Sequence, residues 1–131
     1  MPVVDASVLV AFLVGGAPAR TTEAVFAEQI GVLWAPHLVD AEVGHALRRK
    51  VAAGELRADA GREALQDLTD FPLSRAPHGG LLQRAWELRD NASFYDGLYL
   101  ALAEALDEPL LTFDKRLAGV PGTRATVTVI A

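Results

Sequence analysis

Residues 94–114, FYDGLYLALAEALDEPLLTFD, join a helix to a strand and decide the class of fold. The segment 97–106 has one charged residue in ten, so its helix is apolar on all sides and is expected to be buried. Glu108-Pro109 ends this helix, and 110–113 then reads as a short buried strand that closes with Asp114. A buried helix that leads into a buried strand indicates an α/β protein with a parallel sheet.

Short strand signals alternate with helical stretches along the rest of the chain, which favours a mostly parallel sheet. Together with 110–113, the predicted strands are 3–5, 32–35, a short stretch at 71–75, and 126–130. The predicted helices are 6–14, 21–30, 38–53, 58–70, 81–89 and 94–106. No repeat, low-complexity segment or linker interrupts this alternation.

The composition predicts one globular domain spanning residues 1–131, long enough to bury a sizeable core. Half of the residues are apolar, which argues against disorder. The absence of cysteine excludes disulfides, thiolate metal sites and a cysteine nucleophile. No basic segment precedes the first apolar run, and no apolar run is long enough to span a membrane. We therefore expect a cytoplasmic protein.

The formal net charge of −5 is atypical of a nucleic-acid-binding protein. Net charge says little, however, when acids are concentrated in a metal pocket, because a bound cation inverts the local field. Two basic clusters are candidates for RNA phosphate contacts: Arg48 and Arg49, followed by Lys50, and Lys115 with Arg116. The alternative is that both clusters are solvated helix ends, which the sequence leaves open.

Four carboxylates occupy positions at which the neighbouring side chains predict burial: Asp5, Glu42, Asp96 and Asp114. An ionised carboxylate among buried groups is costly unless a partner compensates its charge. Asp5 and Asp114 each close a predicted strand, so a parallel sheet places both at the edge where ligands bind. Hard cations such as Mg²⁺ and Mn²⁺ take oxygen ligands, and the pattern therefore predicts a site for one of them.

Each acid also has an ordinary structural interpretation. Asp5 and Asp114 can cap the helical turns that follow them. Ser93-Phe94-Tyr95-Asp96 resembles a capping box, with Asp where Glu or Gln is preferred. Glu42 has His45 as its polar neighbour about one turn further on, so a Glu42–His45 contact is its alternative. The sequence alone leaves these alternatives open.

At these residues the chain resembles the PIN-domain ribonucleases, specifically the VapC-type toxins of bacterial and archaeal toxin–antitoxin pairs. Four stretches carry the resemblance: Val3-Val4-Asp5-Ala6-Ser7, the segment from Pro36 through Glu42 to Arg49, Tyr95-Asp96-Gly97-Leu98-Tyr99-Leu100-Ala101-Leu102-Ala103, and Leu111-Thr112-Phe113-Asp114-Lys115-Arg116-Leu117. Each motif is weak alone, but the four in order are fairly specific and span essentially the whole chain. Gly97 departs from the small alanine common at its position.

The resemblance implies a three-layer α/β/α sandwich with a central, mostly parallel sheet of about five strands. It also implies an endoribonuclease dependent on Mg²⁺ or Mn²⁺, in which one or two ions activate a water. The family's catalytic, metal-binding acids map onto Asp5, Glu42, Asp96 and Asp114. Ser7 and Thr112 match hydroxyl residues that support those acids or a water.

The resemblance further implies a homodimer, an RNA substrate and a small antitoxin that obstructs the acidic pocket. The apolar first helix, from Ser7 to Val14, is suited to line a groove for such a partner or a dimer interface, and ordinary core packing explains most of its residues equally well. Two other functions stay open. One is a non-catalytic PIN-like module that binds RNA or a protein. The other is a Mg²⁺-binding receiver-type signalling domain, which is disfavoured because Asp59 ends no predicted strand and Lys115 directly follows Asp114.

Overall fold

The computed structural model describes residues 1–15 and 32–130. In this part of the chain the sheet contains β1 (Val3–Val4), β2 (Leu33–Pro36), β3 (Leu73–Ala76), β4 (Leu110–Thr112) and β5 (Val127–Val129). The strand order is β3-β2-β1-β4-β5, and every neighbouring pair is parallel. The predicted α/β class is confirmed. The receiver-type alternative is wrong, because receiver domains have the order 2-1-3-4-5.

The helices that connect these strands form two groups. Their bounds are α1 (Ala6–Val14), α2 (Leu38–Ala52), α3 (Ala58–Asp70), α4 (Leu82–Glu87) and α5 (Phe94–Leu106), with a 3₁₀ helix at Lys115–Gly119. Helices α1, α2 and α3 pack against one another, whereas α4 packs against α5. The sheet and these two groups give the three layers that the resemblance implied. None of the described helices has the length and hydrophobicity of a membrane-spanning segment.

Most predicted elements lie where the sequence placed them, with ends that differ by one or two residues. Strands β1 and β4 end early, at Val4 and Thr112, so Asp5 and Asp114 follow their strands instead of closing them. The helix predicted at 21–30 lies outside the described residues. The strand predicted at 71–75 begins later, at Leu73, because Phe71 caps α3 and Pro72 has no backbone N–H to donate to a sheet. Strand β2 includes Pro36, which was expected to stop it. Pro36 is its last residue, in register with Ala76, so its missing N–H breaks no interior pairing.

Helix α5 lies at the centre of the packing. Residues 97–103 are all buried, and the helix contacts β1, β2 and β4 as well as α4. A Cβ atom at Gly97 would lie 3.2 Å from the backbone of Ala85, so the absence of a side chain permits the close contact between α4 and α5. This contact fixes the first turn of α5, which carries Asp96.

The single charged residue of the 97–106 segment, Glu104, is neutralised by a network of donors. Arg84 Nε donates to its Oε1 at 2.7 Å, and Thr123 Oγ1 and the backbone N–H of Arg124 donate to Oε2 at 2.9 and 2.8 Å. The Glu104 side chain is 5% exposed. Burial acts to raise the pKa of Glu104, but these donors outweigh it and lower that pKa to about 2. The network ties α5 to α4 and to the segment before β5.

We expect Glu104→Gln to lower the free energy of unfolding at pH 7 by about 2–3 kcal/mol, because Arg84 loses the closer and more buried of its two anionic partners, Glu104, and keeps only the exposed Glu87. The folded-state pKa lies below the ordinary value. The stabilisation that the ionised Glu104 provides is therefore complete above about pH 5 and is lost as the pH falls toward 2. Urea unfolding between pH 7 and 3 should show the gap between wild type and variant shrinking. Glu63→Gln, exposed on α3, should match wild type, and a gap independent of pH would contradict this account.

Candidate active site

The carboxyl ends of β1 and β4 meet where the sheet reverses its order. From β1 the chain runs outward through β2 and β3, and it then returns to β4 and β5 on the other side of β1. Asp5 directly follows β1, and its backbone N–H donates to the carbonyl oxygen of Leu111 at 3.2 Å. Open parallel sheets bind ligands at such a reversal. The topology therefore places Asp5 beside the end of β4, as the sequence predicted.

The carboxylate of Asp5 is held by hydroxyl groups and by one backbone N–H. Ser7 Oγ donates to Oδ1 at 2.6 Å, and Thr112 Oγ1 donates to Oδ2 through a short hydrogen bond. The N–H of Val8 donates to Oδ1 at 3.3 Å, so Asp5 also caps α1. Burial raises the pKa of Asp5 despite these bonds. Within the described residues, no cationic side chain forms an ion pair with it.

Both hydroxyl residues singled out in the sequence contact Asp5. Thr112 is fully buried, and its Oγ1 also accepts a hydrogen bond from the backbone N–H of Asp114 at 2.9 Å. Ser7 Oγ accepts from the backbone N–H of Phe113 at 3.3 Å. Through these bonds Asp5 connects the start of α1 to the end of β4. A catalytic role for either hydroxyl stays a prediction.

Glu42, on α2, bonds to a residue of α5 instead of to its helical neighbour. Its Oε1 accepts a hydrogen bond from Tyr99 Oη at 2.6 Å, whereas His45 is exposed. Burial raises the pKa of the half-buried Glu42, and the charges of Asp96 and Asp5 raise it further, while the Tyr99 hydrogen bond opposes them. Burial and the adjacent Glu42 raise the pKa of Tyr99, so its hydroxyl remains a donor. The Glu42–His45 alternative is wrong.

The start of α2 is anchored to the end of β3, which fixes where Glu42 lies. The backbone N–H of Leu38 donates to His78 Nε2 at 2.9 Å. Asp40 accepts two hydrogen bonds from Arg75, from Nε at 2.8 Å and from Nη2 at 3.0 Å. The bond to His78 satisfies an otherwise free N–H of the first helical turn, and the Arg75 bonds join the side chain of Asp40 to β3. Glu42, about one turn further along, is thereby held within reach of Tyr99.

Asp96 and Asp114 lie near each other but differ in their partners. Ser93 caps α5 by accepting from the backbone N–H of Asp96 at 3.0 Å, as predicted. Burial raises the pKa of Asp96, and the charge of Asp114 adds to this effect. Arg116 instead forms two hydrogen bonds with Asp114, at 2.8 and 3.1 Å, and lowers the pKa of that carboxyl. Asp114 also caps the 3₁₀ helix through the backbone N–H of Arg116.

The residues proposed to contact RNA phosphates lie at the surface. Arg48 and Arg49 are exposed on α2, and Lys115 is exposed beside Asp114. The side chain of Arg116 is 86% exposed, and its guanidinium already pairs with Asp114. Contact between any of these side chains and RNA stays a prediction.

The charges of the four carboxylates affect one another in pairs, but the carboxylates do not form a complete metal-binding site. Asp5 and Asp96 act on Glu42, and Asp114 acts on Asp96. Among the described residues, no group of three His, Cys, Asp or Glu side chains is arranged to hold a metal ion as it stands. Oxygen donors with surplus negative charge nevertheless fit Mg²⁺ or Mn²⁺, since Mg²⁺ typically takes one or two carboxylates and keeps several waters. Ligation by all four acids stays a prediction.

Comparison with known proteins identifies the family. Residues 3–122 match the family model of the PIN domain. Over 130 residues the chain is 47% identical to Ribonuclease VapC1 of Mycobacterium tuberculosis, covering 98% of this chain and 96% of that protein. The chain belongs to the VapC-type PIN-domain ribonucleases.

Solved structures share the fold of this VapC-type protein. The sarcin-ricin-loop-cleaving toxin VapC20 of M. tuberculosis superposes with a TM-score of 0.71 at 21% identity, covering 92% of this chain and 96% of that one. A toxin–antitoxin complex from Klebsiella pneumoniae superposes with a TM-score of 0.70 at 18% identity, covering 100% of this chain and 98% of that one. At these identities the similarity establishes the architecture alone.

Tyr99 contacts the candidate site, but the sequence pattern does not indicate this. The sequence pattern predicts only that Tyr99 is one of the residues of the buried helix. A signal was present, because a buried tyrosine hydroxyl usually finds a hydrogen-bond partner. Glu42, which also needed a partner, was the acid that could provide it. Matching these two requirements would have predicted the contact between α2 and α5.

We expect Thr112→Val to lower the free energy of unfolding by about 1–3 kcal/mol, since an oxygen of Asp5 and the N–H of Asp114 each lose a partner. Urea denaturation in EDTA measures this without any contribution from metal ions. Thr128→Val, exposed on the adjacent strand β5, makes the same chemical change and should shift stability by less than about 0.5 kcal/mol. Equal stability of the two variants would contradict the role given to the Thr112 hydroxyl.

Proposed function

We propose that this protein is a Mg²⁺- or Mn²⁺-dependent endoribonuclease that acts in the cytoplasm as the toxin of a type II toxin–antitoxin pair. As the family resemblance implies, the proposal includes a homodimer. The observation that carries it is that Asp5 and Glu42, partly buried near the β1–β4 edge, are held by hydroxyl groups and form no ion pair among the described residues. Asp5, Glu42 and Asp96 all have raised pKa values, and the side chains that hydrogen-bond to Asp5 and Glu42 are hydroxyls, which carry no positive charge.

The proposed site residues fit the chemistry of phosphodiester hydrolysis. A bound divalent ion supplies charge that offsets the negative charge developing on the phosphate and lowers the pKa of the attacking water. Asp5, Glu42, Asp96 and Asp114 are the residues that would hold it. Ser7 and Thr112 fix both oxygens of Asp5 in advance, so the carboxylate needs little reorganisation when substrate binds.

The exposed cations are the proposed contacts to the RNA backbone. Arg48 and Arg49 follow Glu42 on α2, and Lys115 and Arg116 follow Asp114. The guanidinium group forms bidentate hydrogen bonds with phosphate, which makes the arginines the stronger candidates. Each basic pair therefore begins within a few residues of a proposed metal-binding acid.

A groove between α1 and α2 is the proposed binding site of the antitoxin. It has a volume of about 670 Å³ and is lined by apolar side chains that include Val10, Val14 and Ala46. Ser7 and Glu42 also line it, so a chain lying in the groove would reach the acidic site. An apolar segment of a small partner protein fits such a groove. An antitoxin partner is what membership of the VapC-type family implies.

Purified protein is expected to cleave structured RNA in Mn²⁺ and to lose this activity in EDTA. Asp5→Asn should reduce cleavage by about 100-fold or more, because it removes the charge of the most confined acid. Asp67→Asn makes the same substitution on an exposed residue of α3 and should cleave like wild type. Cleavage by every sample, EDTA included, would indicate a contaminating nuclease. Cleavage by none would favour the non-catalytic module.

The toxin role predicts growth arrest when the protein is expressed in a bacterial host without an antitoxin. Asp96→Asn should abolish the arrest, because it removes a charged member of the proposed site while Ser93 still caps α5 through the backbone. Growth curves with matched protein levels, checked by immunoblot, measure this. Normal growth with the unmutated protein would argue against toxicity, and arrest by both proteins would show that cleavage is not its cause.

A further inference from the structure

We propose that Tyr99 is a positioning residue for divalent-cation binding: its hydroxyl holds one oxygen of Glu42 and leaves the other, Oε2, for the ion. This inference rests on the metal-dependent function proposed above and adds a residue to it. Tyr99 lies on α5 and Glu42 on α2, so the bond joins the two helical groups at the edge of the sheet.

The position of Tyr99 is set by the core of the protein. Its side chain is 2% exposed, within the run of buried residues 97–103. Tyr99 follows Asp96 by three residues, so the two lie on the same face of α5. One helix therefore carries one acid of the site together with the group that holds another. The distance between Glu42 and Asp96 is consequently governed by the packing of α5.

The bond to Tyr99 restrains Glu42 against repulsion from its neighbours. The charges of Asp96 and Asp5 both act unfavourably on the ionised Glu42. A glutamate side chain has several rotatable bonds and would otherwise relieve this repulsion by turning toward solvent. The Tyr99 hydroxyl, 2.6 Å from Oε1, holds the carboxylate in place. In the described part of the chain, Oε2 accepts no hydrogen bond.

A hydroxyl partner restrains the carboxylate without neutralising its charge. An arginine in the place of Tyr99 would hold Glu42 more tightly but would compete with the cation for the same charge. Hydrogen-bonding partners that orient metal ligands typically change metal affinity by about 10- to 100-fold when they are removed. A purely structural Tyr99 would instead affect the stability of the protein and leave its affinity for Mn²⁺ unchanged.

The test is a Mn²⁺ titration of the full-length protein without RNA, followed by the electron paramagnetic resonance signal of free Mn²⁺. We expect Tyr99→Phe to bind Mn²⁺ about 10-fold more weakly than wild type, or weaker still. Tyr95→Phe removes the same hydroxyl from a 59% exposed side chain on the same helix and should bind like wild type. Thermal melting in EDTA checks that each variant is folded.

A second substitution tests whether Tyr99 affects Mn²⁺ binding through Glu42. In a Glu42→Gln background, Tyr99→Phe should weaken Mn²⁺ binding no further, and a repeated tenfold loss would overturn the inference. Excess Mn²⁺ should restore RNA cleavage to Tyr99→Phe but not to Glu42→Gln. If wild type binds Mn²⁺ and Tyr99→Phe binds it equally well, the inference fails while the proposed function stands. If wild type binds no Mn²⁺, both fail.

Discussion

The burial of carboxylates that have hydroxyl partners in place of cations, near the edge between β1 and β4, is the constraint on which the candidate site depends. Burial raises the pKa of Asp5, Glu42 and Asp96, and neighbouring carboxylates add to this effect at Glu42 and Asp96. An acid whose pKa is raised by folding destabilises the folded state once the pH exceeds its ordinary pKa. At neutral pH these groups therefore oppose folding, and the rest of the molecule must compensate. Glu104, with its lowered pKa, contributes in the opposite direction.

The partners of Asp5 and Glu42, two acids of the candidate site, differ from those of Glu104 and Asp40. Glu104 pairs with Arg84, and Asp40 pairs with Arg75, so both charges are neutralised within the fold. Asp5 and Glu42 receive hydroxyl donors, which fix the carboxylate and leave its charge available. Asp114 is the exception. Its partner Arg116 is 86% exposed, and an exposed ion pair contributes little to stability, so this contact is weakly held.

The elements that the sequence predicted best are those with strong local patterns. Helix α5 begins and ends where its apolar run and the cap at Ser93 placed it. The proximity of Asp5 to the end of β4 followed from the rule that parallel strands present their carboxyl ends at one edge. No such local pattern or strand rule predicts the contact between Tyr99 and Glu42, because it joins residues 57 positions apart on helices of two different groups. The bond from Leu38 to His78, across 40 positions, escaped prediction for the same reason.

Carboxylates that lie near one another stay in place only if the elements that carry them are rigid. Helix α5 is one such element. Near the N-terminal end of the helix, the Ser93 cap and the close contact between Gly97 and Ala85 fix Asp96. Near the C-terminal end, the donors around Glu104 hold the helix to α4. Between them, contact with three strands buries the segment that carries Tyr99. The apolar composition of α5 thus fixes the helix that carries both Asp96 and Tyr99, because its buried face leaves it little freedom to shift.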